Sequence, residues 1–133
     1  MVHTTKISVR FADVDAFNHV NNAHYLTYME HSRMYFFDDV IGKVDWENNG
    51  FIIARAEVNF ILPIVLHDQI IVETKCSKIG TKSFDLSYKI FKIEGGTKTE
   101  MANGITVQVG FNYKNNKTIP LTEDWKKKLT SNS

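Results

Sequence analysis

The sequence predicts an α+β domain in which one long helix lies across an antiparallel sheet of five strands, with a minor helix at the C-terminal end. Three observations carry that expectation. One amphipathic stretch long enough for a major helix begins near residue 22. Four segments rich in Ile, Val, Phe and Tyr follow it in succession. Glycine-bearing turns, rather than further helices, separate the later ones, and short turns between strands favour antiparallel pairing.

Residues 5–11 alternate Lys6, Ser8 and Arg10 with Ile7, Val9 and Phe11, the period of a half-buried strand. Asp13, Asp15, Asn18, His19, Asn21 and Asn22 then crowd into a loop. The helix begins at Asn22 or Ala23, with Asn21 or Asn22 suited to cap it. Tyr25, Met29, Ser32, Phe36 and Val40 fall on its core side, widened by Leu26, Tyr28 and Phe37, whereas His24, Thr27, His31 and Asp38 fall opposite. About 18 helical residues span ~27 Å, enough to cross a five-stranded sheet. Residues 42–50 are polar and read as a loop. Strands are expected over 51–62, closed by Pro63, and over 69–79, 83–93 and 98–113, with turns at Gly80-Thr-Lys and Gly95-Gly96. Gly104 and Gly110 mark bulges or close backbone approaches in the last of them. Thr122 suits the cap of a short terminal helix with Glu123 and Asp124 at its start and Lys126 to Lys128 at its end.

Composition bounds the function. With 133 residues, 43% of them hydrophobic, residues 1–133 fit one domain with one core. The formal net charge of +1 gives no electrostatic footprint for nucleic acid. No stretch approaches the ~20 apolar residues of a membrane span, and no signal-like segment opens the chain, so a cytoplasmic protein is expected. Cys76 is the only cysteine, which excludes an intrachain disulfide and a cysteine-based zinc finger; it reads as a small buried hydrophobe. His24 and His31 project from the polar side of the helix and no HExxH spacing occurs, so no metal and no cofactor are expected.

The loop before the helix is where chemistry concentrates. A helix start offers backbone N–H groups without intrahelical partners and a dipole that favours negative charge. A carboxylate at Asp15 beside those donors suits acyl transfer, with hydrolysis of an ester or thioester as the natural reaction. The plainer reading has Asp15 accept loop N–H groups, His19 anchor to backbone, and Asn21 and Asn22 brace the loop.

Arg10, Phe11, Asp13, Asp15, His19, Val20, Asn21, Asn22, Tyr25, Tyr28, Glu30 and Arg33 together resemble the pattern of the hotdog-fold acyl-CoA thioesterases of the 4-hydroxybenzoyl-CoA thioesterase class. Residues 56–63 with His67-Asp68, the Gly80 to Phe84 turn, and residues 102–107 continue that resemblance in order across nearly the whole chain. One departure is Asn18, where many relatives have Gly; Asn is among the few side chains that tolerate a left-handed backbone. The resemblance implies that Asp15 is the catalytic carboxylate, as nucleophile through a mixed anhydride or as general base. It implies that the N–H near Asn22 polarises the carbonyl, and that His19 orients water, holds Asp15 or contacts the thioester. Phe17 and Tyr25 would wall the acyl site. Lys82, with Lys78 and Arg55, would meet the coenzyme A phosphates. Asp13 would serve the loop backbone or Arg10, and Glu30 would pair with Arg33 structurally. The implied assembly is a homodimer or homotetramer with sites between protomers, acting on acyl-CoA. An acyl-carrier-protein thioester as substrate, and a non-catalytic acyl-binding module, are the alternatives.

Overall fold

The computed structural model describes residues 2–131. In chain order the elements are β1 (His3–Ser8), a 3-10 turn (Phe11–Asp13), α1 (Asn22–Phe36) continued by a π turn (Phe37–Ile41), and α2 (Trp46–Asn49). There follow β2 (Gly50–Phe60), β3 (Gln69–Ile79), β4 (Ser83–Glu94), β5 (Thr97–Asn112), β6 (Lys117–Thr118) and α3 (Glu123–Ser131). The sheet is antiparallel in the order β1-β3-β4-β5-β2, with the two-residue β6 attached to β5. The curled sheet with one long helix on its inner face is a hotdog fold, as the sequence led us to expect.

Residues alternate between the two faces of each strand, and those on the inner face meet α1. Val72, Thr74 and Cys76 of β3, Leu86, Tyr88 and Ile90 of β4 and Ala102, Thr106 and Gln108 of β5 are all buried. Tyr25, Tyr28, Met29, Ser32, Arg33 and Phe36 of α1 are buried against them. A β-carbon on Gly104 would lie 2.3 Å from the Glu57 carbonyl oxygen and 2.5 Å from Met29 Cε, so the bare backbone there sets how closely α1 approaches. One on Gly110 would lie 2.5 Å from the Ile119 carbonyl oxygen. Both glycines therefore mark close approaches; the bulges fall elsewhere, between Ile53 and Arg55 in β2, between Cys76 and Lys78 in β3, and at Met101 in β5 opposite Ile90 and Phe91.

The far end of α1 is sealed by aromatic rings. Phe51 lies 4.2 Å from Trp125 and 4.9 Å from Phe37 between ring centroids, and Phe84 closes the cluster. Thr122 caps α3 through its Oγ1, which accepts from the Trp125 N–H at 3.1 Å. Cys76 is buried, and burial pushes its thiol up to about 11, which keeps it an unreactive core group.

Several boundaries differ from the sequence pattern for identifiable reasons. β1 stops at Ser8 because Arg10 is drawn into the turn by Asp13, and Phe11 ends 82% exposed instead of continuing the strand. β2 ends at Phe60, before Pro63, because the Ile61 and Leu62 N–H groups both converge on the Met101 carbonyl. The polar stretch 42–50 contains the one-turn helix α2, capped by Asp45 accepting from Asn48 N–H. Leu26 is not core: it is 42% exposed on the flank of α1 facing β2, where helix and sheet diverge. Arg33 takes an interior place instead, with Nη1 donating to the Tyr88 hydroxyl at 3.3 Å and Nη2 3.8 Å from Glu30. The Tyr88 and Thr106 hydroxyls bond at 2.6 Å, Thr106 bonds Gln108, and Gln108 Nε2 donates to the Phe84 carbonyl, so these three buried polar side chains satisfy one another. Among the described residues no helix is long and apolar enough to cross a membrane.

Candidate active site

The segment between β1 and α1 is a tight hairpin, and its geometry follows from its residues. Asp13 and Asn21 close its base, the Asn21 N–H donating to the Asp13 carbonyl at 2.9 Å. Val14 and Val20 bridge above it. Asp15 N–H donates to His19 O at 2.8 Å, and Asn18 N–H donates to Asp15 O at 3.0 Å, so residues 15–18 form the turn. Asn18 takes φ of 63°, the left-handed backbone that its amide side chain tolerates. Val20 N–H donates to Ile64 O, and His19 bridges Val65, pinning the hairpin to the segment before β3.

Two carboxylates two residues apart are set oppositely. Asp13 is 1% exposed. Its Oδ2 accepts from the Arg10 N–H at 3.0 Å and the Tyr28 hydroxyl at 2.8 Å, while Oδ1 accepts from Arg10 Nε at 3.1 Å and Nη2 at 2.8 Å. Burial pushes this carboxyl upward, but the hydrogen bonds and charge of Arg10 and the Tyr28 hydroxyl outweigh it and hold the group down at about 2. Burial and the adjacent Asp13 charge in turn push the Tyr28 phenol up, which keeps it a donor.

Because Asp13 titrates below the ordinary unfolded value of ~3.9, its contribution to stability is complete above pH ~4 and is lost as pH falls from there through about 2. Thermal melts of wild type and Asp13→Asn are therefore expected to differ most at neutral pH and to converge toward pH 2. A gap that persists unchanged to pH 2 would contradict this.

Asp15 is exposed, and only one of its oxygens is engaged. Oδ1 accepts from the Phe17 N–H at 2.8 Å and the His19 N–H at 3.2 Å, the loop-bracing role that the plainer reading assigned it. Oδ2 meets no donor among the described residues and is open to attack a carbonyl or take a proton from water. The cap of α1 is Asn21, whose Oδ1 accepts from Ala23 N–H at 3.0 Å and whose carbonyl accepts from His24 N–H at 2.9 Å. That leaves the N–H of Asn22, the first helical residue, without an acceptor among the described residues. An open carboxylate oxygen and an open helix-start donor thus occur on one short segment.

The other expected site residues separate. His19 serves through its backbone, and its exposed ring makes no hydrogen bond among the described residues. Phe17 is 82% exposed beside Asp15. Tyr25 is buried, its hydroxyl accepts from Ile64 N–H at 3.2 Å, and its ring meets Phe60 edge-on at 4.9 Å. A groove of about 210 Å³ lies between α1 and β2, lined by Leu26, Thr27, Glu30, Arg33, Ile53 and Ala56. Lys82 lies in the turn after β3, whereas the hairpin packs beside the start of that strand. Eleven strand residues, roughly 35 Å, separate them, so one protomer does not bring Lys82 to Asp15. No cluster of three or more His, Cys, Asp or Glu converges on a metal position among the described residues. Sequence reasoning missed the role of Tyr28 as a partner of Asp13; the 15-residue separation carries no local signal for it.

The fold and the hairpin define a hotdog protein with a carboxylate at the helix start. Residues 9–129 match the model of the thioesterase-like superfamily, and the chain belongs to that family. The long-chain acyl-CoA thioesterase FadM of Escherichia coli is 28% identical over 128 residues, covering 94% of this chain and 95% of FadM. A Thermus thermophilus thioesterase solved with coenzyme A and Zn is 30% identical, with a TM-score of 0.82 over 96% of this chain and 92% of that one. A 4-hydroxybenzoyl-CoA thioesterase bound to 4-hydroxybenzoyl-CoA superposes with a TM-score of 0.87 over 96% and 98% of the two chains, a likeness of fold at 15% identity. The resemblance read from the motif is therefore borne out as family and fold.

Proposed function

We propose that this chain hydrolyses an acyl-CoA thioester to the free carboxylic acid and coenzyme A, with Asp15 as the reacting carboxylate. The observation that carries this is the division of labour at Asp15: Oδ1 is tied to two loop N–H groups while Oδ2 stays open, next to a helix start whose Asn22 N–H is unused. In the general-base form, Oδ2 takes a proton from water, the hydroxide adds to the thioester carbon, and the C–S bond breaks as the proton passes to the thiolate. In the nucleophilic form, Oδ2 bonds the carbonyl carbon, CoA thiolate leaves, and water cleaves the anhydride. Both forms place negative charge on the carbonyl oxygen, where the Asn22 N–H and the helix dipole oppose it, a contribution of ~3 kcal/mol. His19 assists by holding Asp15 through its backbone; Phe17, Tyr25 and the α1–β2 groove receive the acyl group. The match to the thioesterase-like superfamily supports turnover over a silent binding module, and the likeness to FadM favours acyl-CoA as the thioester. We place residues 1–133 in one domain and the reaction in the cytoplasm. Thiol release from purified protein, measured against short, medium, long and aromatic acyl-CoAs and against an acyl carrier protein thioester, tests this. Turnover confined to the carrier thioester, or none at all, would count against it.

A second copy of the chain is the natural cover for the open side of the site. β2 is an edge strand of eleven residues whose outer backbone groups lack a strand partner among the described residues, a feature that proteins seldom leave uncovered. Beside it Ile53, Phe60 and Leu26 are 42%, 50% and 42% exposed. Light scattering is expected to give the mass of at least two chains, and Ile53→Glu to shift it toward one while leaving the far-ultraviolet spectrum intact. A wild-type monomer would overturn the assembly.

A further inference from the structure

Asp13 is buried, charged and close to the candidate chemistry, yet at 1% exposure it does not touch a substrate. Its attachments run to three different parts of the chain. Through its backbone carbonyl it holds the N–H of Asn21, the residue that caps α1. Through Oδ2 it holds the Tyr28 hydroxyl, two turns into α1, and the Arg10 N–H at the exit from β1. Through Oδ1 it holds the Arg10 guanidinium, and the half-buried His24 ring of the first helical turn faces the same oxygen, with Nδ1 at 3.6 Å. Strand exit, hairpin base and helix therefore meet on one carboxylate.

We infer that Asp13 is a positioning residue that fixes the open oxygen of Asp15 against the Asn22 N–H by tying the hairpin to α1 through Tyr28. The inference rests on reading Asp15 as the reacting carboxylate. Its geometric basis is the shortness of the path: Asp15 lies two residues beyond Asp13, and Asn22 lies one residue beyond the Asn21 that Asp13 holds. A rotation of the hairpin about its base moves one reacting group relative to the other. Acyl binding in the α1–β2 groove does not pass through Asp13, because none of the groove residues bonds to it. Misplacement of reacting groups by about 1 Å costs ~100-fold in rate with no change in ground-state contacts, so the loss belongs in kcat and not in KM.

Tyr28→Phe removes the helix tie alone and leaves Arg10 on Asp13; Asp13→Asn removes the charge that holds both. On the best acyl-CoA, kcat is expected to fall about 10-fold in Tyr28→Phe and about 100-fold in Asp13→Asn, with KM within twofold of wild type. Amide exchange across residues 14–22 is expected to quicken in Tyr28→Phe while β3 and β4 keep their protection. If Asp13→Asn does not fold, Tyr28→Phe carries the same decision. Wild-type kcat in both variants, together with an inactive Asp15→Asn, would overturn the positioning role alone. Loss of activity only in proportion to the unfolded fraction would also overturn it, because that is the signature of a purely structural tie. Equal turnover by wild type and Asp15→Asn would overturn this inference and the reading of Asp15 on which it rests.

Discussion

Replacing Asp15 by Asn is expected to lower kcat for acyl-CoA hydrolysis by about 1000-fold while leaving the melting temperature nearly unchanged. The two halves of that expectation come from the two oxygens. An asparagine Oδ1 can still accept from the Phe17 and His19 N–H groups, and the turn bond from Asn18 N–H goes to the backbone carbonyl, which the substitution does not alter. The hairpin therefore keeps its supports, and an exposed substitution of this kind shifts stability by about 0.5 kcal/mol or less. The position of the open oxygen, however, is now held by an amide NH2, which neither takes a proton from water nor attacks a carbonyl. Removal of such a group typically costs 100- to 10,000-fold. Asp15→Ala is expected to lose the same activity with added instability, since both loop N–H groups then lose their acceptor. Single-turnover assays beside thermal melts distinguish the outcomes; a mutant that keeps wild-type kcat would remove Asp15 from the chemistry.

The largest expected effect on stability falls at Gly104. Its inner face meets α1 and its edge meets β2, so Ala at this position drives a β-carbon into the Glu57 carbonyl oxygen and the Met29 methyl at once. Met29 is fully buried and cannot swing to solvent, and the Glu57 carbonyl belongs to a paired strand backbone. Overpacking of this kind costs about 3 kcal/mol, a large share of a marginal fold. Gly96 supplies the comparison: it has open space around its α-carbon, and only its φ of 82° penalises a side chain, so Gly96→Ala should cost about 1 kcal/mol. Urea unfolding of the two variants checks the order, which would be reversed if turn geometry rather than the helix–sheet spacing limited stability.

Much of this structure was legible in the residues. The starts of β3 and β4, the cap at Asn21, the cap at Thr122 and the left-handed Asn18 follow from local chemistry that needs no tertiary partner. Where the pattern misled, a distant partner decided. Leu26 sits at a core spacing, but the sheet curls away from that flank of the helix, and Arg33 is buried because Tyr88, 55 residues on, offers it a hydroxyl. Asp13 and Asp15 look alike in the motif; burial and Arg10 separate them, and the sequence holds no sign of which oxygen stays open.

The strand order also bears on how the chain is made. β1 and the hairpin that follows it pack beside β3, and β2 has no neighbour until β5 exists. During synthesis β1, just ahead of Asp15, leaves the ribosome early yet has nothing to pair with until residues 69–74 have followed it. β2, with Ile52, Ile53, Val58 and Phe60, stays unpaired until residues 102–111 emerge. At ~5–20 residues per second, that exposes an apolar strand for several seconds in every molecule translated, a window in which chaperones and neighbouring nascent chains compete for it.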